Sequence, residues 1–246
     1  MSILVEACVD SAESALAAQR GGASRIELCD NLVEGGTTPS AGAIAACRDR
    51  LRIPIYVMIR PRGGDFCYSP VELDVMRRDI AGAQALGADG VVLGLLRPDG
   101  TVDRRRTRAL ITLARPLDVT FHRAIDVARE PLAALDDLLA LGVDRVLTSG
   151  QSRTALAGAR VIAALVERAA GRLVVLAGGA VDETNARDVV KRTGVREIHV
   201  RGTSPSRSAM RYKSRRVRMG GAPPPDEFTL LLTDARRIRR IIQAVE

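Results

Sequence analysis

Short apolar runs rich in β-branched residues alternate with longer helical patterns along the whole chain. Runs of the first kind are typical of buried parallel strands, and they predict eight β-strands, at 3–7, 25–29, 53–59, 90–95, 117–121, 145–147, 173–177 and 197–200. The Ala- and Leu-rich stretches between them predict eight helices, at 11–21, 40–51, 71–87, 102–116, 130–142, 154–171, 183–194 and 233–246.

The regular spacing of these elements decides between two α/β architectures. Successive strand ends are separated by about one βα unit, and strands that alternate with helices form parallel sheets. Eight such units in 246 residues favour a (β/α)8 TIM barrel. A doubly wound sheet is the alternative, but no GxGxxG motif follows the first strand. We expect one domain over residues 1–246, with a long eighth βα connection around 201–229.

Composition narrows the class of protein. The chain is 46% hydrophobic and 27% charged, as in ordinary globular domains. No apolar run is long enough to cross a membrane, and the first residues, MSILVEACVDSAES, lack the basic start of a signal peptide. The four cysteines show no CxxC spacing, which argues against a disulfide scaffold or zinc ribbon. We therefore expect a cytoplasmic protein without a membrane partner.

The positive charge is concentrated in one segment. Residues 201–218 contain seven basic residues and no acid, which accounts for nearly all of the net charge of +8. A basic run can bind nucleic acid, but aromatic residues make up only 2% of the chain, so few rings could stack on bases. A small anionic ligand or a solvated loop explains the segment equally well, and we expect no nucleic-acid partner.

Candidate catalytic residues lie where the predicted strands end. In a (β/α)8 barrel the working residues occupy the carboxyl ends of strands, and the residues at these positions include Glu6, Glu27, Arg60 and His122. Buried charges need partners, so Glu6, Glu27 and Arg60 are expected to face one another. Imidazole beside carboxylates suits acid–base catalysis near neutral pH. A purely structural ion-pair network at the barrel mouth is the alternative.

Further polar residues and glycines at the same end are candidate ligand-binding residues. They are Arg62, Asp65, Thr148, Ser149, Gly178, Gly179 and His199. Two arginines beside Gly-Gly in RPRGGDF resemble an anion-binding loop, and the region after the last two strands of many barrels binds phosphate. Simple turns that need glycine explain the same glycines.

Two of the cysteines share a pattern. Glu6-Ala7-Cys8 and Glu27-Leu28-Cys29 both end predicted neighbouring strands, and alternation places Glu and Cys of each triplet on the same face. Neighbouring strands are about 4.8 Å apart, so the thiols of Cys8 and Cys29 could converge on a soft ion such as Cu(I). Buried cysteines that serve only as small apolar side chains are the alternative.

The same residues identify a family resemblance. EACVDS (6–11), IRPRGGDFCYS (59–69), VTFHRAID (119–126) and MRYKSRRVRMGG (210–221) resemble the CutC family of copper homeostasis proteins, and the resemblance extends over essentially the whole chain. It implies a cytoplasmic, homo-oligomeric (β/α)8 barrel in which Cys8 and Cys29 bind Cu(I). The chain departs from the family at Arg201, where small or hydroxyl residues are usual.

Two functions follow as hypotheses. The first is copper homeostasis through Cu(I) bound by Cys8 and Cys29. The second is an enzyme for a small anionic substrate, phosphorylated or sugar-like, in which Arg60 holds the anion and Glu6, Glu27 or His122 moves a proton. Within the second hypothesis, the carboxylates and histidine could instead bind a divalent metal such as Mn or Zn.

Overall fold

A closed parallel barrel forms the centre of the molecule. The computed structural model describes residues 3–214, 216 and 228–246. The barrel strands are β1 (Leu4–Val9), β2 (Arg25–Leu28), β3 (Ile55–Met58), β4 (Gly90–Leu93), β5 (Asp118–Phe121), β6 (Arg145–Thr148), β7 (Val174–Gly178) and β8 (Glu197–Val200). Each strand pairs with the next, and β8 closes the barrel on β1. The predicted (β/α)8 barrel is confirmed.

Eight α-helices in the described part of the chain surround the barrel. They are α1 (Ala12–Gly21), α2 (Ala41–Arg50), α3 (Pro70–Ala85), α4 (Arg104–Ala114), α5 (Pro131–Leu141), α6 (Ala159–Ala169), α7 (Ala186–Thr193) and α8 (Ala235–Val245). Within the described residues, no helix is both long and apolar enough to cross a membrane. The predicted helices are present, although α6 begins five residues later than expected, directly after Gly158.

The helix starts follow from the side chains that precede them. Ser11 and Ser40 accept hydrogen bonds from the backbone N–H groups three residues later. Ser69 forms a capping box with Glu72, and Pro70 occupies the first helical position. These devices satisfy N–H groups that lack a partner within the helix, so each helix begins at a defined residue after its strand.

The two faces of the strands have different roles. Alternate residues such as Val5, Ala7 and Val9 pack with the helices in the main hydrophobic core. Residues of the opposite face point into the barrel, where Cys8 and Cys29 cluster with Tyr56, Met58 and Val92. Because side chains alternate between the two faces of a strand, the residues of one strand that point into the barrel are two positions apart in the sequence.

The eighth βα connection contains a β-hairpin that the sequence analysis did not predict. Strands β9 (Thr203–Arg207) and β10 (Thr229–Thr233) pair antiparallel, with Thr203 opposite Thr233. The long connection expected around 201–229 thus has a strand near each end. The Pro/Gly stretch 219–227 and the basic residues Arg215 and Arg218 lie outside the described residues.

An ion-pair cluster fastens α8 beside the carboxyl end of the barrel. The Glu183 carboxylate contacts Arg237 at 2.8 Å and Arg240 at 3.0 Å, and Arg237 also donates to the Thr203 carbonyl. The hydrogen bond from Arg237 is the main reason that the pKa of Glu183 is lowered to about 2. Glu183 therefore favours the folded state only while it is ionised.

We expect Glu183→Gln to lower the free energy of unfolding at neutral pH and to lose its effect in acid. A lowered folded-state pKa contributes stability that is fully present above the unfolded value near 4.5 and disappears as the pH falls through about 2. Urea unfolding of both proteins between pH 7 and pH 2 measures this difference. A difference that stays constant across that range would contradict this role for Glu183.

Candidate metal site at the barrel mouth

Arg25 forms a buried ion-pair bridge inside the barrel. Its guanidinium donates to the carboxylates of Glu6 and Glu197, and all three residues are at most 5% exposed. The pairing follows from barrel closure, since Glu6 is in register with Arg25 on β2 and with His199 on β8. Arg25, rather than the expected Arg60, is therefore the ionic partner of Glu6.

A second arginine, Arg145, adds further contacts to the ion pairs of Arg25. Arg145 contacts Asp118 at 2.8 Å and Glu197 at 3.5 Å. The guanidinium carbons of Arg25 and Arg145 both lie over the Tyr56 ring, 5.0 and 5.1 Å from its centre. We call the six residues Glu6, Arg25, Tyr56, Asp118, Arg145 and Glu197 the interior network. It supports the side chains nearer the mouth.

His199 connects the interior network to the mouth. Its Nδ1 lies 2.7 Å from Glu6 Oε1, and its Nε2 lies 3.7 Å from Glu27 Oε2. Burial alone would lower the pKa of His199, but Glu27, Cys8 and Glu6 together raise it well above its usual value. For Glu6, Arg25 and His199 outweigh burial and lower the pKa to about 2. Glu6 therefore fixes the ring of His199 through Nδ1.

Three potential metal ligands lie close together at the mouth of the barrel. One ligand atom each from Cys8, Glu27 and His199 lies within 4.8 Å of the others, and we call these three residues the mouth triad. Cys29 adjoins it, because its thiol donates to Glu27 Oε2 at 3.5 Å. The structure thus places one of the two predicted copper ligands, Cys8, beside His199, which was predicted only as a general ligand-binding residue, and places Cys29 beside Glu27.

The two thiols differ in their surroundings. The hydrogen bond with Cys29 lowers the pKa of Cys8, and although burial opposes it, His199 lowers that pKa further. The same hydrogen bond and burial raise the pKa of Cys29. Thiolates are the form that binds metals, so Cys8 is the better prepared ligand.

Glu27 completes the triad as a poorly solvated carboxyl group. Burial raises its pKa well above the usual value, although the charge of His199 opposes that shift. Its Oε1 atom is buried and has no hydrogen-bond partner among the described residues. A buried oxygen of this kind is available to a ligand.

Arg60 holds two loops at the mouth. Its guanidinium donates to the carbonyls of Glu34, Gly36 and Gly64 at 2.8–2.9 Å. Within the described residues it forms no ion pair, and its Nε atom is buried without a partner. The expectation that Arg60 pairs with buried carboxylates is therefore wrong.

His122 follows β5 and caps the short 3₁₀ helix Arg123–Val127. Its Nδ1 accepts a hydrogen bond from the Ala124 N–H at 3.2 Å, whereas Nε2 is buried without a partner among the described residues. Burial, reinforced by the charge of Arg60, lowers its pKa to about 3. His122 is therefore neutral at physiological pH, in contrast to His199.

A cavity of about 530 Å³ opens at this end of the barrel. Six of the predicted site residues line it, and each lies on or shortly after a different strand: Cys8, Glu27, Arg60, His122, Gly179 and His199. Arg201, which also lines it, donates to the Leu32 carbonyl. Other predicted residues, Glu6, Cys29, Arg62, Asp65, Thr148, Ser149 and Gly178, are not part of its lining.

Arg62 and Asp65 stabilise the loop after β3. Arg62 donates to Asp65 Oδ1 at 3.0 Å and pairs with Glu72 of α3. It also donates to the Cys67 carbonyl at 3.1 Å. These contacts occupy the guanidinium within the loop, and Arg62, unlike Arg60, is not part of the lining of the mouth cavity.

Thr148 and Ser149 are anchored by Asp126, a residue that the sequence analysis missed. Asp126 accepts hydrogen bonds from the Thr148 hydroxyl at 2.5 Å, the Ser149 hydroxyl at 2.9 Å and the Ser149 N–H. Arg123 donates to both Asp126 and Ser149. The motif HRAID could have pointed to Asp126, because it places an acidic residue shortly after a histidine at a strand end.

Gly178 and Gly179 allow close approach beside His199. A Cβ atom on Gly178 would lie 2.6 Å from Leu147 Cδ1 and 3.0 Å from His199 Cβ. Gly179 has φ +111°, and a Cβ there would lie 2.9 Å from Ser149 Cβ. Both positions therefore need glycine for packing and backbone geometry.

Taken together, the fold and this end of the barrel define a class: a (β/α)8 protein with a thiol, carboxyl and imidazole triad in its mouth. The chain belongs to the CutC family, whose model matches residues 3–204. It is 47% identical to the human copper homeostasis protein cutC homolog, over 97% of this chain and 87% of that protein.

Other relatives agree with this assignment. A family protein CutC from Chromobacterium violaceum is 49% identical over the full length of this chain and 99% of its own. A crystal structure of a CutC protein from Streptococcus agalactiae superposes with a TM-score of 0.77 at 37% identity, covering 80% of this chain and 98% of that one. The predicted family is confirmed.

Proposed function

We propose that this protein acts in copper homeostasis by binding one Cu(I) ion at the barrel mouth. The Cys8 thiolate and His199 Nε2 are the principal ligands. Cys29 and Glu27 lie next to these two ligands. The observation that carries the proposal is the mouth triad, whose ligand atoms all lie within 4.8 Å of one another.

The chemistry of these donors suits Cu(I). Thiolate sulfur selects Cu(I), and imidazole nitrogen also suits copper. Cys8 is 4% exposed and the His199 side chain 12% exposed, so both ligands have limited access to water. Glu6 accepts the hydrogen bond from the protonated Nδ1 of His199, so Nε2 is the nitrogen directed towards Glu27 and Cys8. Copper binding at Nε2 displaces the proton that this nitrogen carries in the metal-free protein. A carboxylate behind a metal-binding histidine is a recurrent support for such ligands.

The proposal also covers the cellular location of the protein and its assembly. We infer a cytoplasmic protein, because all four cysteines are free thiols and a reducing compartment keeps thiols available to copper. We also infer a homo-oligomer, since the β9–β10 hairpin exposes Leu230 and Leu231 to about half of their full extent. Light scattering after size-exclusion chromatography would report a single subunit mass if this second inference is wrong.

Anaerobic titration of Cu(I) against a competing chelator tests the proposal. Wild-type protein is expected to bind one equivalent tightly, and the Cys8→Ser/Cys29→Ser double variant is expected to lose that binding. Cys67→Ser, which removes a half-buried thiol in the loop before α3, is the matched control and should bind like the wild type.

Parallel titrations with Zn(II) and Mn(II) separate the proposal from its alternative. The Glu27 oxygen makes the mouth triad acceptable to zinc as well. Binding of Zn(II) or Mn(II) that outcompetes Cu(I) under the same conditions would overturn the copper assignment, as would Cu(I) binding that the double cysteine variant retains.

Glu6→Gln is expected to weaken Cu(I) binding by about 10–100-fold, the usual effect of losing the carboxylate behind a metal-binding histidine. Glutamine keeps the size of the side chain but removes the charge that holds His199 at 2.7 Å. The same chelator competition measures this change. An affinity within twofold of the wild type would show that Glu6 does not position His199 for a metal.

A further inference from the structure

Two residues that line the mouth cavity each have a buried hydrogen-bond donor without a partner in the part of the chain that the structure describes, and the copper proposal uses neither donor. They are the Arg60 Nε and the His122 Nε2, both buried and unbonded within the described residues. The two residues are only 5% and 4% exposed, and both line the mouth cavity. Buried polar atoms are nearly always hydrogen-bonded, so an unpartnered pair beside one cavity indicates a ligand.

His122 must act as a donor at this position. Its Nδ1 accepts the hydrogen bond from the Ala124 N–H, which leaves the proton of the neutral ring on Nε2. The guanidinium of Arg60 can only donate. A ligand that satisfies both atoms must therefore offer acceptor oxygens.

The charge around the cavity specifies that ligand further. Two other arginines of its lining are neutralised by acids, Arg123 by Asp126 and Arg237 by Glu183. Within the described residues, Arg60 and Arg201 form no ion pair and instead donate to backbone carbonyls. Glu27 and Asp182 also line the cavity, but neither forms an ion pair with Arg60 or Arg201 among the described residues, so these two guanidinium groups remain available to an anion.

Part of the cavity wall is apolar. The Phe66 ring lies 4.8 Å from the His122 ring and 5.1 Å from the Arg60 guanidinium carbon. Leu32 and Met58 also line the cavity, whose volume of about 530 Å³ suits a small organic molecule.

We propose that the mouth cavity binds a small organic anion whose carboxylate or phosphate group accepts hydrogen bonds from Arg60 Nε and His122 Nε2. Its carbon skeleton lies against Phe66 and Met58. This ligand is additional to the copper ion of the mouth triad, and it binds in the absence of metal.

Nitrogen-15 NMR of the imidazoles tests this directly, because the chain has only two histidines. Metal-free protein is titrated with lactate, with glycerol phosphate and with neutral glycerol. We expect a saturable shift of the His122 Nε2 resonance with lactate or with glycerol phosphate, and which of them acts distinguishes a carboxylate site from a phosphate site. No saturable shift with either anion, or an equal shift with glycerol, would overturn the proposal.

Matched variants locate the site by calorimetry with the anion that binds. Asparagine keeps an acceptor for the Ala124 N–H while removing the Nε2 donor, so His122→Asn is expected to fold and to bind about tenfold or more weakly. Arg60→Lys is expected to act similarly, because lysine lacks the Nε donor. Arg78→Lys, on the exposed face of α3, is the control. Unchanged binding in both His122→Asn and Arg60→Lys would place the anion elsewhere.

Discussion

Serine in place of Cys8 is expected to weaken Cu(I) binding far more than serine in place of Cys29. Cys8 lies in the mouth triad with Glu27 and His199, and its thiol pKa is lowered, whereas Cys29 adjoins the triad and its thiol pKa is raised. A hydroxyl is a poor ligand for a soft ion. We expect Cys8→Ser to lose about 1000-fold in affinity, or about 4 kcal/mol.

Chelator competition on the two single variants measures this asymmetry. The comparison is well matched, because both cysteines are almost fully buried and both variants exchange one sulfur for one oxygen. Equal losses in the two variants would indicate that the thiols bind copper as an equivalent pair. A larger loss in Cys29→Ser would contradict the ligand set proposed above.

Methionine in place of Arg25 is expected to destabilise the fold by about 3–5 kcal/mol, the usual result of removing one partner from a buried ion pair. Both Glu6 and Glu197 would lose their main cationic contact inside the barrel, and water cannot reach them. That change would remove a large part of the 5–15 kcal/mol that typically stabilises a globular protein.

Guanidinium unfolding of Arg25→Met and of the control Arg78→Met tests this prediction. Arg78 also pairs with an acid, Asp74, but both side chains are more than half exposed. Exposed pairs contribute about 0–1 kcal/mol, so the control is expected to unfold close to the wild type. Similar small losses in both variants would show that the interior network contributes little to stability.

The architecture could be predicted from sequence because it depends on local pattern. Alternating apolar runs and helical stretches determined eight βα units, and the carboxyl ends of the strands correctly pointed to the mouth. Cys8, Glu27 and His199 were all recognised at strand ends. Their meeting as one triad depends on β8 pairing with β1, a contact between residues 193 positions apart that no local pattern specifies.

The partners of the charged residues were less predictable for a related reason. Each of the residues Arg25, Arg145 and Glu197 is the first residue of its strand. The prediction considered only the carboxyl ends of the strands, and it therefore chose Arg60 as the partner of Glu6. Barrel register decides these pairs, and register follows from closure of the whole sheet. The β9–β10 hairpin was missed because β9 contains Pro205 between serines, which is a turn-like composition.

X-ray absorption spectroscopy of the Cu(I)-loaded protein tests the central claim most directly. A copper ion held by Cys8 and His199 would show a sulfur shell together with the multiple-scattering pattern of one imidazole. That pattern would weaken in His199→Gln while Cys67→Ser left the spectrum unchanged. A sulfur-only shell, or a shell of oxygen and nitrogen without sulfur, would contradict the proposed site.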